Sequence, residues 1–445
     1  MKRLLITAAT ALLAVGLTLV PGTANAAVSS TPPPTPQLGT SGTDGSVERV
    51  RQIIQCGNTM YAVGRFTQVK DPNSAALITR NNAFAFSAVA PYKISPWDPN
   101  VNGRVDTAAC GTDGSVLLGG VFSTAGGAAN RNLAKVNAST GASMPFAFHP
   151  SGRVAHMEVV QGHLLVGGYF PGYLDSRNPV TGADDGYGTP TISGNYTEPD
   201  FPAVAHATRV YNMTPKADGS AVLMTGVFSA VGGQPHEQIF RLNMTPGAAT
   251  VSAWTPYELF QHCTPSQPFY AQDAAWSPDG TKIYTATTGY KPYNMSAGSV
   301  PRSGPCDAVI AYPATEKAFG STNPKDPSNH RWINYANCDS LFSVAADATT
   351  VYAGGHQRYA SVLAGESIGC DFGSGGPGLV AQPGLGEFDP VTGNHQPGPN
   401  RGRGVGAEDL LRTSAGLWIA SDNASNSNSC AGVPGRMGIC FLPNA

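Results

Sequence analysis

Seven polar residues recur at one place in a repeated unit of this chain: Arg49, Thr107, His156, Asn212, Asp273, Ser340 and Asp409. Brought together as an inward ring, they would bind a sugar or a cation, or move protons. In that ring His156 is the candidate base or acid, and Arg49 the cation that neutralises a uronate. Asp273 and Asp409 are the carboxylate partners. Beside them lie Glu48, Asp106, Tyr211, Asp339 and Glu408, of which Tyr211, Asp106 and Asp339, with Asn212, are candidate ligand contacts. The plainer alternative is a solvated channel whose polar side chains cross-link one another. No local catalytic signature decides between the two. His236-Glu237 lacks the second histidine of a metalloprotease helix, and there is no Gly-x-Ser-x-Gly elbow and no phosphate-cradling glycine loop.

The elements that must position these residues repeat about every 57 residues, roughly the mean spacing of seven copies. The core of each copy is a short apolar strand ending in glycine, often followed by an aromatic. Met60 to Phe66, Val116 to Phe122, Leu164 to Phe170, Val222 to Phe228 and Val351 to Gly355 are the clearest, with weaker copies at Ile283 to Ala286 and Leu417 to Ala420. Gly-type turns such as Asp113-Gly114, Asp218-Gly219 and Asp279-Gly280 precede them, because Asp-Gly tolerates the positive φ of a tight hairpin. Earlier strands are expected at Val105 to Cys110, Val154 to Val160 and Val210 to Thr214. Third strands follow, as in Leu133 to Asn137 or Leu385 to Phe388. Units of three or four antiparallel strands at this period predict an all-β chain, a single seven-bladed β-propeller over residues 46–445. They are too short for sandwich domains, which need about 100 residues. The doubled glycine suits a place where two backbones approach closely.

Gly119-Gly120-Val121-Phe122, then Gly126-Gly127 and Arg131 to Asn137, resembles the delta-60 repeat and kelch-like propellers. Trp276 to Tyr284 is similar to the strand-turn-strand of YVTN- and TolB-type propellers. The sialidase-type Ser-x-Asp-x-Gly-x-Thr-Trp box is missing. The resemblance implies a fold and leaves the activity open, because propellers host binding, lyase, hydrolase and scaffold roles.

Lys2 and Arg3, the apolar run Leu4 to Val20 and Ala24-Asn25-Ala26 read as a signal peptide over residues 1–26. Residues 27–45 follow as a Pro/Thr/Ser-rich leader, stiff and polar like a spacer. A secreted, extracellular protein without membrane insertion is expected. The 53 Gly, 36 Pro and 13% charged residues suit tight turns between strands. A net charge of −2 offers no basic excess for a nucleic-acid backbone. Eight cysteines in an exported chain point to four bridges, expected in sequence order: Cys56 with Cys110, Cys263 with Cys306, Cys338 with Cys370, and Cys430 with Cys440. No cofactor is expected. Calcium at Asp184-Asp185-Gly186 is a minor alternative, since no full calcium-loop pattern surrounds these residues. Aromatic and acidic loops, Pro171 to Thr208 and Thr288 to Trp332, form a second candidate surface. The leading expectation is an extracellular binding module for a glycan or a cell-surface protein. The alternative is a secreted polysaccharide lyase or glycoside hydrolase working at the channel mouth, and a structural envelope protein is a third possibility.

Overall fold

The computed structural model describes residues 28–39, 48–198, 201–256, 269–289, 306–315, 330–336, 339–364, 378–402, 406–423 and 429–445. Among these residues every regular element is a strand. Seven sheets share one antiparallel plan, in which an inner strand pairs with a second and the second with a third. The inner strands are Arg49–Cys56, Arg104–Cys110, Val154–Val160, Arg209–Pro215, Phe269–Trp276, Leu341–Ala346 and Asp409–Thr413. They touch in that cyclic order, and the last meets the first. The chain is therefore an all-β propeller, whose sheets are called blades one to seven below.

Packing follows from the geometry of a wedge. Each blade buries both faces against its neighbours, so its second strand reads as a continuous apolar run. Val116, Leu117 and Leu118 are fully buried, as are Val222 and Met224. Hydrophobic clusters fill the seams between successive blades. The cluster between blades seven and one holds Phe66, Phe84, Phe86, Trp418 and Phe441, with Trp418 and Phe441 stacked at 4.2 Å. The third strands of blades two and six end in the same turn, which recurs after the third strand of blade three. Asn137, Asn178 and Asp389 each accept the backbone N–H groups two and three residues on.

The Pro/Thr-rich segment does not stand off as a spacer over its described part. Residues 28–38 run along the third strand of blade seven, Ile439–Pro443. Val28 bridges Asn444, Ser29 N donates to Pro443 O at 2.7 Å, and Thr35 Oγ1 donates to Ile439 O at 3.0 Å. Thr35 and Leu38 are fully buried. The segment thus covers the outer edge of the last blade and then pairs Gln37–Leu38 with Gln68–Lys70 of blade one. An unpaired edge strand is a liability, and this strap removes one.

Two disulfides link described residues. Cys56–Cys110 ties the ends of the first two inner strands (Cα–Cα 5.8 Å), and Cys430–Cys440 lies within blade seven (Cα–Cα 5.7 Å). Cys306 is also disulfide-bonded. Cys263, Cys338 and Cys370 lie outside the described residues, as do residues 1–26, where a signal peptide is expected, and much of the insertion from Thr288 to Trp332.

Candidate functional site at the channel mouth

A recurrent β-bulge decides which side chains reach the channel. In six inner strands one residue is skipped in the pairing: Arg51, Asp106, Ala155, Tyr211, Gln272 and Phe342. A bulge re-aims the side chain it inserts, and all six residues line one cavity of about 290 Å³. Arg153, His156, Tyr169, Glu408 and Asp409 complete much of its wall. Of the lining residues only Ala155 and Phe342 have wholly apolar side chains.

The glycine pair of the repeat is the backbone's answer to the bulge. A Cβ at Gly64, Gly120, Gly168, Gly226 or Gly355 would collide with the carbonyl oxygen of Arg49, Arg104, Arg153, Arg209 or Ser340, each two residues before a bulged residue. The preceding glycine serves packing instead. A Cβ at Gly119 would strike Val154, and one at Gly167 would strike Val210 and Met213, all from the next blade. The doubled glycine therefore has two separate causes, and one of them marks the site.

Most residues after the bulges, and Asp409 at the matching place in blade seven, fasten neighbouring blades together. Gln52 Oε1 accepts Ala108 N (2.7 Å), Thr107 Oγ1 accepts Met157 N (3.2 Å) and Asp273 Oδ2 accepts Val344 N (2.8 Å). Ser343 Oγ donates to Ala407 O (3.0 Å), and Asp409 Oδ2 accepts Ile53 N (2.9 Å), joining blade seven to blade one. Asn212 Nδ2 donates to Asp273 Oδ1 at 2.5 Å. These aspartates are structural acceptors first. Burial pushes the Asp273 carboxyl up to about 7, with repulsion from Asp409 adding to it. Burial likewise pushes Asp409 up to about 6.

This geometry corrects two blades of the expected ring. The positions equivalent to Thr107, His156, Asn212, Asp273 and Asp409 are Gln52 in blade one and Ser343 in blade six, not Arg49 and Ser340. Both expectations fell three residues early: the bulge absorbs one of the three, so Arg49 and Gln52 share a face of the strand, with Arg49 nearer its start. Asp339 slips with them: it pairs with Arg358 at 3.0 Å and is not among the residues lining the cavity. Arg49 stands at the rim, bonded to Glu408 at 2.7 Å. His156, Asn212, Tyr211, Asp106 and Asp409 do line the cavity. His156 Nε2 lies 3.2 Å from both Gln52 Nε2 and Glu158 Oε1.

Arg51, Arg153 and Tyr169 had no place in the expected site. Asp106, its side chain 2% exposed, is gripped by three guanidinium groups: Arg51 (3.4 Å), Arg104 (3.0 Å) and Arg153 (2.9 Å). Arg153 binds it through two parallel bonds, Nε to Oδ2 and Nη2 to Oδ1. Tyr169 lies between Arg153 and Arg209, 4.7 and 5.1 Å from its ring centre, and Arg209 Nη2 donates to Tyr211 Oη at 2.9 Å. Burial raises the Tyr211 phenol above its ordinary value. Arg49, Arg104, Arg153 and Arg209 share one register position, two residues before the bulge, in blades one to four. The same position holds Tyr270, Ser340 and Gly406 in blades five to seven.

The second candidate surface packs rather than projects where it is described. Tyr187 stacks on His163 at 3.9 Å, and its hydroxyl donates to Thr245 O. Asp185 accepts from His163, Ser176 and the Tyr187 amide, and Asp175 pairs with Arg177. Among the described residues no group of three or more His, Cys, Asp or Glu could hold a metal ion.

Fold and site together define a propeller with a polar cavity at the mouth of its channel. No protein-family model matches the chain, and no curated protein matches it. Among solved structures, the computationally designed Ika8 protein is similar at 9% identity, covering 93% of this chain and 100% of its own, with a TM-score of 0.45. The WD40 repeats of RRP9 are similar at 8% identity, covering 95% and 100%, with a TM-score of 0.45. The WD40 β-propeller domain of Doa1 is similar at 9% identity, covering 92% and 96%, with a TM-score of 0.39. Likeness of this degree carries no argument about ligand or activity.

Proposed function

We propose that the chain is a secreted seven-bladed propeller that acts as an extracellular binding module, with a glycan as its ligand at the channel mouth. One observation carries this reading. The bulged residues Arg51, Tyr211, Gln272 and Phe342 converge on a cavity beside His156 and Asn212, whereas most residues after the bulges also join blades. Polar groups beside aromatic faces suit a sugar, whose hydroxyls need partners and whose ring has apolar faces. A site for a drug-like apolar molecule is lined mostly by hydrophobic side chains. The two disulfides are compatible with an oxidising, extracellular setting. A glycan array probed with the mature chain tests the reading. Binding that is lost in Tyr211→Ala supports it, and an array without signal overturns it.

A second reading, a polysaccharide lyase, is favoured by one feature: Tyr211 and His156 share the cavity with Arg51 and Arg153. A lyase removes the proton beside a uronate carboxylate with a Tyr or His base while a cation neutralises the carboxylate. The C–O bond one carbon away then breaks, a C=C bond forms, and the leaving oxygen takes a proton. Incubation with plant, algal and bacterial polysaccharides, read by mass spectrometry for unsaturated products, separates the two readings. Cleavage lost in Tyr211→Phe or His156→Ala establishes the lyase. Intact substrate across the panel leaves the binding module.

A further inference from the structure

We infer that the channel mouth selects an acidic saccharide, docking a uronate carboxylate on Arg51 and Arg153. The inference rests on the glycan reading above and adds the charge of the ligand.

The argument begins with an imbalance. Five guanidinium groups ring the mouth, from Arg49, Arg51, Arg104, Arg153 and Arg209, and the carboxylates paired with them are Asp106 and Glu408. Asp409, which also lines the cavity, brings the carboxyl groups to three against five guanidinium groups, a local excess of positive charge in a chain whose net charge is −2. Four of the five repeat one register position across consecutive blades and form an arc on one side of the mouth. Blades five to seven contribute Gln272, Phe342, Glu408 and Asp409 to the cavity and no arginine. The arginines therefore gather on one side of the mouth with Tyr169 and Tyr211, and Phe342 stands with the carboxyl groups of Glu408 and Asp409 on the other.

Asp106 explains why these cations stay in place without a ligand. As an almost fully buried carboxylate it holds three guanidinium groups in fixed orientations, which lowers the ordering cost of binding. It does not exhaust them. A guanidinium presents five N–H donors in a planar fork. Arg51 Nη2 and Arg153 Nη1 make no hydrogen bond among the described residues, and both side chains line the cavity. A planar fork matches a carboxylate in two-point geometry. At about 290 Å³ the cavity is near the small end of ligand sites, ~300 Å³ and upward, which suits the end of a chain or one sugar unit.

The test is titration calorimetry on the chain from Val28 onward. The probes are oligomers of galacturonate, of mannuronate and guluronate, and of hyaluronan, each paired with its carboxyl-reduced counterpart, together with neutral xylan and cellulose oligomers. The expected result is an acidic oligomer that binds at least tenfold more tightly than its reduced partner. Arg51→Gln and Arg153→Gln should each weaken the acidic oligomer about tenfold and shrink the gap to its reduced partner. Arg153→Lys keeps the charge and the fold but loses the fork, and should recover only part of the affinity. Lys216→Gln, at a different pocket, should change nothing. Equal binding of acidic and reduced oligomers, or binding of neutral oligomers alone, overturns the acidic selectivity and spares the glycan reading. Binding of none overturns both.

Discussion

Two rings of side chains lie one residue apart on the inner strands, and they behave differently. Gln52, Thr107, Asp273, Ser343 and Asp409 each hold a backbone group of the next blade. Arg51, Asp106, Tyr211, Gln272 and Phe342 sit on bulges and face the cavity. In the proposed reading the first ring serves mainly the closed propeller and the second its ligand, while Gln52 and Asp409 also reach the cavity wall. A polar residue at a channel is therefore not yet a site residue, because its bonding partners decide which task it has. The comparison also divides the carboxylates. Asp273 and Asp409 resemble an acid–base pair in composition, yet every hydrogen bond they accept from a backbone amide is architectural.

The comparison can be broken by experiment. Asp273→Ala should show the largest effect, because it leaves Val344 N without its acceptor in a buried seam. A stability loss of ~2–3 kcal/mol is expected in denaturant unfolding, with the glycan affinity of the folded protein changed less than about threefold. Lost affinity at unchanged stability would move Asp273 into the site.

The pH dependence of stability should come next. Asp273 and Asp409, raised to about 7 and about 6, hold protons in the folded state that the unfolded chain gives up near pH ~4. The folded protein thus binds more protons than the unfolded chain at these sites and at Glu387, raised to about 8. The buried His236, lowered to about 4, acts the other way, and the net expectation is that stability falls as pH rises from 5 to 8. Carboxylates held below their ordinary value, such as Asp113 and Asp389, have finished titrating by then. Urea midpoints across this range check the sign, and a rising midpoint would contradict it.

Arg51→Gln should reverse the pattern of Asp273→Ala. A tenfold loss of affinity for an acidic oligosaccharide is about 1.4 kcal/mol, against a stability change of ~0.5 kcal/mol from partly exposed ion pairs. Paired calorimetry and denaturation on one variant read both. Gln272→Ala should be smallest. Its side chain contacts Thr288 at 3.3 Å and joins no blades, so stability should stay within ~0.5 kcal/mol.

Much of the architecture was legible in the sequence. The strand Arg104–Cys110 begins one residue before its expected start at Val105, and Val154–Val160 falls where it was expected. Apolar runs and Asp-Gly turns are local signals, and they fixed these elements. The bulges were not legible as such, because an inserted residue leaves the apolar pattern nearly intact. Yet their trace was present. The second glycine of each pair, or the single Gly64 of blade one, stands opposite a bulge, so counting from Gly64 and Gly355 would have led to Arg51 and Phe342. The arginines at 49, 104, 153 and 209 repeat in register with those glycines, but they emerge only once the bulge defines the register. The strap at 28–38 was missed for another reason. A proline-rich stretch shows no strand period, and its docking depends on an edge that only the closed ring creates.

The most direct measurement is hydrogen–deuterium exchange of the intact protein, with and without an acidic oligosaccharide at saturating concentration. The account predicts slowed exchange at the bulges of blades one to four, around residues 50–53, 104–108, 153–157 and 209–213, and no change at the hairpin turns around 216–219 and 277–281. Protection confined to those turns, or spread over the outer strands and absent from the bulges, would contradict it.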